Sequence, residues 1–224
     1  MRKIAITGTS RGLGAALVRK FRSLGHTVVG GARTSAQQLD QDLQEGYFPF
    51  QATDPESQHS WWDQVETHLG LPDLVIANAA LINHNAPLWE VPVEEFRAVM
   101  EANLLGVYLT FREYLQRWHR SEERPRGVLV AISSTWGRTT SPEVAPYCMS
   151  KWGVEGMIKS LAQELPPQLS AVALNPGIIN TEMLRSCFGS GASHYETSEQ
   201  WAPRAAEEIL AFERSHNGAS ASIS

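Results

Sequence analysis

The feature that most constrains this chain is an alternation of short, nearly continuous apolar runs with longer stretches of helical periodicity. The apolar runs are Ile4–Thr7, Thr27–Gly30, Tyr47–Phe50, Leu74–Ala77, Val128–Ile132, Ala171–Leu174 and a weaker one at Ala219–Ile223. Runs without polar alternation belong to strands covered on both faces. Between them lie helical stretches: Gly12–Leu24, a short and weak one at Ser35–Gln44, one opening at Asp54-Pro55, and then Val93–His119, Pro146–Leu165 and Ser198–Arg214. Proline at a first helical position marks the third, and Pro166-Pro167 stops the fifth. Strand–helix alternation requires parallel strands with right-handed crossovers. The expected fold is therefore α/β, a single doubly wound parallel sheet of about seven strands with helices on both faces. It takes in residues 1–224 as one domain. The Gly- and Ser-rich segment Asn180–Thr197 is expected to be the least structured, and the tail Asn217–Ser224 to fray.

Composition removes several function classes. A net charge of −5 leaves no broad basic surface, which argues against nucleic acid. No apolar run reaches membrane-spanning length, and the N-terminus is too short in apolar residues for a signal peptide. Two cysteines, Cys148 and Cys187, give no disulfide framework, so a cytoplasmic protein is expected. Histidines and cysteines show no metal-binding spacing, and no metal is expected.

The first strand runs into Thr7-Gly8-Thr9-Ser10-Arg11-Gly12-Leu13-Gly14, which opens the first helix. Glycines there allow backbone to approach a pyrophosphate, and a helix N-terminus offers free N–H groups and a positive dipole end. An ordinary strand–helix turn would look similar, but this loop stands where a dinucleotide site belongs. A site for NAD usually carries an acid about 20 residues beyond the glycines. Here the second strand ends at Arg33, and Arg11 lies inside the loop. Two guanidiniums suit a 2′-phosphate, so NADP(H) is expected; two solvated surface arginines are the plainer alternative.

Tyr147 and Lys151 stand four apart at the start of a helix, hence on one face. A phenol near pKa 10 is a poor base at neutral pH. A neighbouring ammonium would favour the phenolate and lower that value. Ser134 follows the strand Val128–Ile132, thirteen residues before Tyr147, and can face the same crevice; a turn or cap hydroxyl is the alternative.

These motifs together make the sequence resemble the short-chain dehydrogenase/reductase family, of the compact Rossmann type. The matches are the Thr-Gly-x-x-x-Gly-x-Gly loop, Asn78-Ala79, Asn103-Leu104-Leu105-Gly106, Ser134, the Tyr147/Lys151 pair, and Asn175-Pro176-Gly177 with Thr181. The resemblance implies a hydride transfer between NADP(H) and a small carbonyl or alcohol. Tyr147 would be the general acid/base, Lys151 the ribose ligand that lowers its pKa, and Ser134 a donor to the substrate oxygen. Asn103 would hold a water linking Lys151 to solvent. Cofactor contacts would come from Gly8, Ser10, Arg11, Gly12, Leu13, Gly14, Arg33, Gln51, Ala52, Asn78, Ala79, Ala80, Tyr147, Lys151, Pro176, Gly177, Ile179 and Thr181. Two positions depart from the family pattern: Ala80 replaces a glycine, and Gln51 an aspartate. The resemblance also implies a homodimer or homotetramer, formed through the faces of Val93–His119 and Pro146–Leu165. A non-catalytic NADP(H)-binding redox sensor would dispense with Tyr147 and Lys151. An epimerase or dehydratase on this fold usually carries a longer C-terminal region.

A substrate loop is expected at about 180–200. Trp136, two residues after Ser134, is either a pocket wall or core. Ile178, Met183, Phe188 and Tyr195 could form an apolar lid, with Arg138 and Glu143 as candidate polar contacts. Cys148 points away from Tyr147 on the helix and reads as packed, and Trp61-Trp62 as core or interface.

Overall fold

A computed structural model of the chain describes residues 1–223; Ser224, the end of the expected fraying tail, lies outside them. Its centre is a six-stranded parallel sheet of order β2-β1-β3-β4-β5-β6. The strands are β1 Lys3–Thr7, β2 Thr27–Gly31, β3 Leu74–Ala77, β4 Gly127–Ile132, β5 Leu169–Asn175 and β6 Ser220–Ser222. The fold is the doubly wound one expected, with one strand fewer than the seven counted. Tyr47–Phe50 makes only an isolated parallel bridge, Tyr47 to Gly30. Phe48 and Phe50 N–H groups still donate to Gly30 and Ala32 C=O, at 3.1 and 2.9 Å.

Helices cover both faces: α1 Gly12–Ser23, the single turn α2 Gln41–Gln44, α3 Pro55–Leu69, α4 Val93–Met100, α5 Gly106–Arg120, α6 Ala145–Glu164, α7 Glu182–Phe188 and α8 Ser198–Leu210. Asp54 caps α3, its carboxylate accepting from the Glu56 and Ser57 N–H groups. Alternate strand residues feed two cores. Ile4, Ile6, Leu74, Ile76 and Val130 pack against α1 and α8. Ala5, Val75, Leu129 and Ala171 pack against α3, α5 and α6, where Trp61, Trp62 and Trp118 are buried. Trp61-Trp62 is thus core.

Two other expectations change. Segment 180–197 is ordered: α7 and a tighter turn at Gly189–His194 fill it, and a bridge between Asn180 and Thr197 closes its ends. The Thr181 hydroxyl caps α7 and Thr197 forms a capping box with Gln200. The tail does not fray within the described residues, because β6 pairs with β5 and the Ile223 N–H donates to Asn175 C=O at 3.0 Å. Arg138 holds the same tail, donating to Ser222 Oγ at 2.9 Å and Ala221 C=O at 2.7 Å.

Candidate active site

The strand order reverses between β1 and β3, and ligands of such sheets sit beyond the carboxyl ends of strands at that point. The glycine loop leaves β1 there. Gly8 has φ +73°, and a Cβ on it would lie 2.7 Å from Ala79 Cα. A Cβ on Gly14 would overlap Gly8 O. Both positions demand glycine for close backbone packing. Asn78 locks the loop: its Nδ2 donates to Thr7 and Gly8 C=O, each at 2.9 Å, and the Thr7 hydroxyl accepts from the N–H groups of Asn78 and Ala79.

The first turn of α1 has neither a capping side chain nor an acidic residue, unlike the capped α3, α7 and α8. Its free N–H groups and dipole suit an anionic group. Arg11 and Arg33 are both exposed at this edge. Arg11 pairs with Glu182 of α7 across the cleft. Phe50 N–H donates to Ala32 C=O at 2.9 Å, so Arg33 and Gln51 leave the sheet side by side, with Ala52 next. A glycine cradle, an uncapped helix start and two guanidiniums fit a phosphorylated dinucleotide such as NADP(H). Thr181 faces the cradle, its methyl 3.7 Å from where a Cβ on Gly12 would stand. Ile179 is buried, Gly177 takes φ +85°, and Pro176 C=O accepts from Trp201 Nε1 at 2.9 Å. Ser10, Leu13 and Ala80 lie partly buried along the same rim.

The carboxyl end of β4 and the start of α6 bring Ser134, Tyr147 and Lys151 together. Ser134 is both cap and candidate donor: its Oγ accepts from Trp136 N–H at 3.1 Å. Burial pushes the Tyr147 phenol up to about 12, and a hydrogen bond with Ser134 pulls the other way. Burial also lowers the Lys151 ammonium to about 8. Lys151 Nζ donates to Ile132 C=O at 2.7 Å and stands 5.5 Å from the Tyr147 ring centroid. The phenol stands above its ordinary value, not below it as the sequence reading expects: loss of hydration is the larger influence and the Ser134 hydrogen bond the smaller, opposing one.

Asn103 sits in a π-helical turn, Glu101–Leu105, that joins α4 to α5 within the expected long helix. Such turns mark functional positions more often than chance. Its Oδ1 accepts from Leu81 N–H at 2.7 Å, and its Nδ2 donates to Leu81 C=O and Ser150 Oγ, both at 2.8 Å. Ser150 Oγ then donates to Tyr147 C=O at 2.7 Å. The Asn103 carboxamide thus ties the backbone beyond β3 to the first turn of α6.

Trp136 meets Tyr147 edge-on at 6.0 Å and lies parallel to Phe188 at 6.2 Å. It is partly buried and packs against the cluster of Val144, Tyr147 and Cys148. Met183 packs on the same cluster, while Ile178 is exposed. Ile82, Val144, Cys148 and Cys187 belong to the same cluster. Cys148 is packed as expected; the others escaped the sequence reading because nothing in their spacing marks them. Arg138 and Glu143 are not pocket contacts. Arg138 Nε donates at 2.9 Å to buried Glu155, which also accepts from Ser133 Oγ at 2.6 Å and Ser220 Oγ at 2.5 Å. Glu143 serves through its carbonyl, accepting from Asn83 Nδ2 at 2.9 Å. The buried Oδ1 of Asn83 has no hydrogen-bond partner among the described residues.

The short chain dehydrogenase family model matches residues 2–189. An NADPH-dependent pterin aldehyde reductase from Arabidopsis thaliana is 40% identical, covering 99% of this chain and 93% of that protein. A 3-oxoacyl-[acyl-carrier-protein] reductase FabG from Haemophilus influenzae is 33% identical, over 81% of this chain and 76% of its own length. Among solved structures, an alcohol dehydrogenase from the archaeon Thermococcus sibiricus complexed with 5-hydroxy-NADP superposes with a TM-score of 0.82. It is 26% identical and covers 98% of this chain and 94% of its own. The chain belongs to the short-chain dehydrogenase family.

Proposed function

We propose that this chain is an NADPH-dependent carbonyl reductase that acts on an aldehyde, with Tyr147 as the proton donor. The observation that carries the reading is the meeting of Ser134, Tyr147 and Lys151 beside the uncapped start of α1. The likeness to the NADPH-dependent pterin aldehyde reductase supports both the cofactor and the aldehyde.

NADPH, when bound, supplies the hydride that reaches the carbonyl carbon. The protein's task is to bind, orient and deliver a proton. Ser134 Oγ–H donates to the substrate oxygen while Trp136 N–H fixes its position. As negative charge gathers on that oxygen, the Tyr147 O–H bond breaks and the proton passes to it, giving the alcohol. A phenol held near 12 is fully protonated at neutral pH, which is the state a reductase needs. Lys151 has one proton engaged by Ile132 C=O, and the others can reach a ribose diol. Arg11 and Arg33 would hold the 2′-phosphate, and the glycine loop the pyrophosphate. Gln51 and Ala52 would flank the adenine, with Asn78, Ala79 and Ala80 beside the ribose. Pro176, Gly177, Ile179 and Thr181 would surround the nicotinamide. Asn103 acts here through Ser150, holding the turn that bears Tyr147.

Both cysteines are free, which fits a reducing cytoplasm, and no helix among the described residues is long and apolar enough to cross a membrane. Exposed Leu105, Tyr108, Met149 and Trp152 on and beside α5 and α6 support a homodimer or homotetramer through those helices. Light scattering reads that directly.

The test of function is cofactor depletion with a panel of ketones, aldehydes and quinones, using NADPH and NADH in parallel. The reading expects aldehyde-dependent oxidation of NADPH at least tenfold faster than of NADH at low cofactor concentration. Equal rates, or no carbonyl turned over, would overturn it.

A further inference from the structure

The proton chemistry needs Ser134, Tyr147 and Lys151, but the substrate side of the site also holds a run of aromatic rings that this chemistry does not require. Trp136 stands edge-on to Tyr147, with an interplanar angle of 85°. Its other neighbour, Phe188, lies 11° from parallel at a centroid distance of 6.2 Å. Tyr195 closes the far side of Phe188 edge-on at 6.5 Å. The two parallel rings differ in how they are held. Trp136 is part of the strand-end turn, with its N–H on Ser134 Oγ. Phe188 is 42% exposed and ends α7, a seven-residue helix with no buried residue, just before Gly189 at φ +53°.

We propose that Trp136 and Phe188 form an aromatic clamp that selects planar, fused heteroaromatic aldehydes of the pterin type, stacking the ring between them and leaving the exocyclic carbonyl at the Tyr147 hydroxyl. This rests on the reading of the chain as a carbonyl reductase and names its substrate class.

Three features of the geometry support it. The indole is the fixed wall, and its edge contact with Tyr147 places a ring stacked on it beside the proton donor. Phe188 lies nearly parallel to the indole, as a flat ligand's ring would. A ring between two others needs about 3.5–4.0 Å of carbon–carbon separation on each side, more than the closed pair leaves. Phe188 must therefore swing outward, and an exposed ring on a two-turn helix does so without opening the core. Stacked aromatic pairs gain beyond simple burial of area, which an aliphatic aldehyde in the same space does not collect. Apolar surface at Ile82, Met183 and Val144 borders the same cluster and excludes water without reading shape so finely.

The test compares a pterin aldehyde with butanal as substrates for the wild type, Phe188→Leu, Trp136→Leu and Trp136→Phe. Leucine keeps apolar volume and removes the ring. The clamp predicts that the ratio of kcat/KM for the pterin aldehyde over butanal falls at least about fivefold in each leucine variant, chiefly through KM. Trp136→Phe should restore most of it. An unchanged ratio in Phe188→Leu would overturn the clamp; that substitution removes an exposed ring, so it decides the matter even if Trp136→Leu does not fold. Calorimetric titration of the pterin aldehyde into the Tyr147→Phe protein with NADPH present gives a readout free of turnover. The Kd should rise at least about fivefold when Phe188→Leu is added. Should the wild type oxidise NADPH with neither aldehyde, the reductase reading fails, while this titration still decides the clamp. Turnover of butanal but not of the pterin aldehyde leaves the reductase standing and overturns the clamp.

Discussion

The two sides of the cleft are built to different rules. On the cofactor side, the glycine loop is fixed by backbone contact and by Asn78, which bonds Thr7 and Gly8 together. Little there can shift without a clash. On the substrate side, α7 carries no buried residue, and Phe188 is half-exposed. The link between the sides is an exposed ion pair, Arg11 with Glu182. One side is held by close backbone contact, and the other is a short exposed helix beside Trp136. Substitutions on the first side should affect every substrate alike, and those on the second should affect substrates differently.

The largest effect on the cofactor side is expected from Gly14→Ala, whose Cβ would overlap Gly8 O, a backbone atom that cannot step aside. A loss of about 1–3 kcal/mol in stability, with NADPH affinity lost for every substrate, would show in denaturant melts and cofactor titration. Full retention of both would break the contrast. Next in size is Arg11→Ala combined with Arg33→Ala. Removing two charge-assisted contacts should raise the NADPH Kd by about tenfold to a hundredfold and leave that for NADH nearly unchanged. A more modest effect follows from pH. Lys151 falls to about 8, so its charge is present below that pH and lost above it; reduction should decline as pH rises through about 8. The reverse oxidation needs the Tyr147 phenolate, so it should climb with pH toward 12. Smallest is Glu182→Gln. An exposed pair contributes at most about 1 kcal/mol, so stability should barely change, and freeing Arg11 should tighten NADPH binding by no more than about fivefold.

The same contrast explains what the sequence could and could not reveal. Ile4–Thr7 and Leu74–Ala77 read as strands because burial on both faces leaves a continuous apolar run. Tyr47–Phe50 looks similar in composition, yet it joins the sheet only by an isolated bridge from Tyr47 to Gly30. Glycine spacing exposed the cofactor side, where geometry depends on backbone. Segment 180–197 concealed α7, because two turns held by the Thr181 cap are too short to print a periodicity. Tyr147 and Lys151 were visible as a pair, whereas the sense of the phenol's shift was not. That sense depends on how deeply the ring is buried, which spacing does not carry. The stacking of Trp136 on Phe188 was likewise invisible, because its partner comes from 52 residues further along the chain.

The central claim is that Tyr147 gives the proton and does little to hold the cofactor. The direct measurement is NADPH affinity and aldehyde turnover in Tyr147→Phe beside the wild type. The account predicts a Kd within about twofold and a turnover lower by about a hundred- to ten-thousandfold, the range a positioned general acid contributes. Turnover within tenfold of wild type, or loss of NADPH binding along with activity, would contradict it.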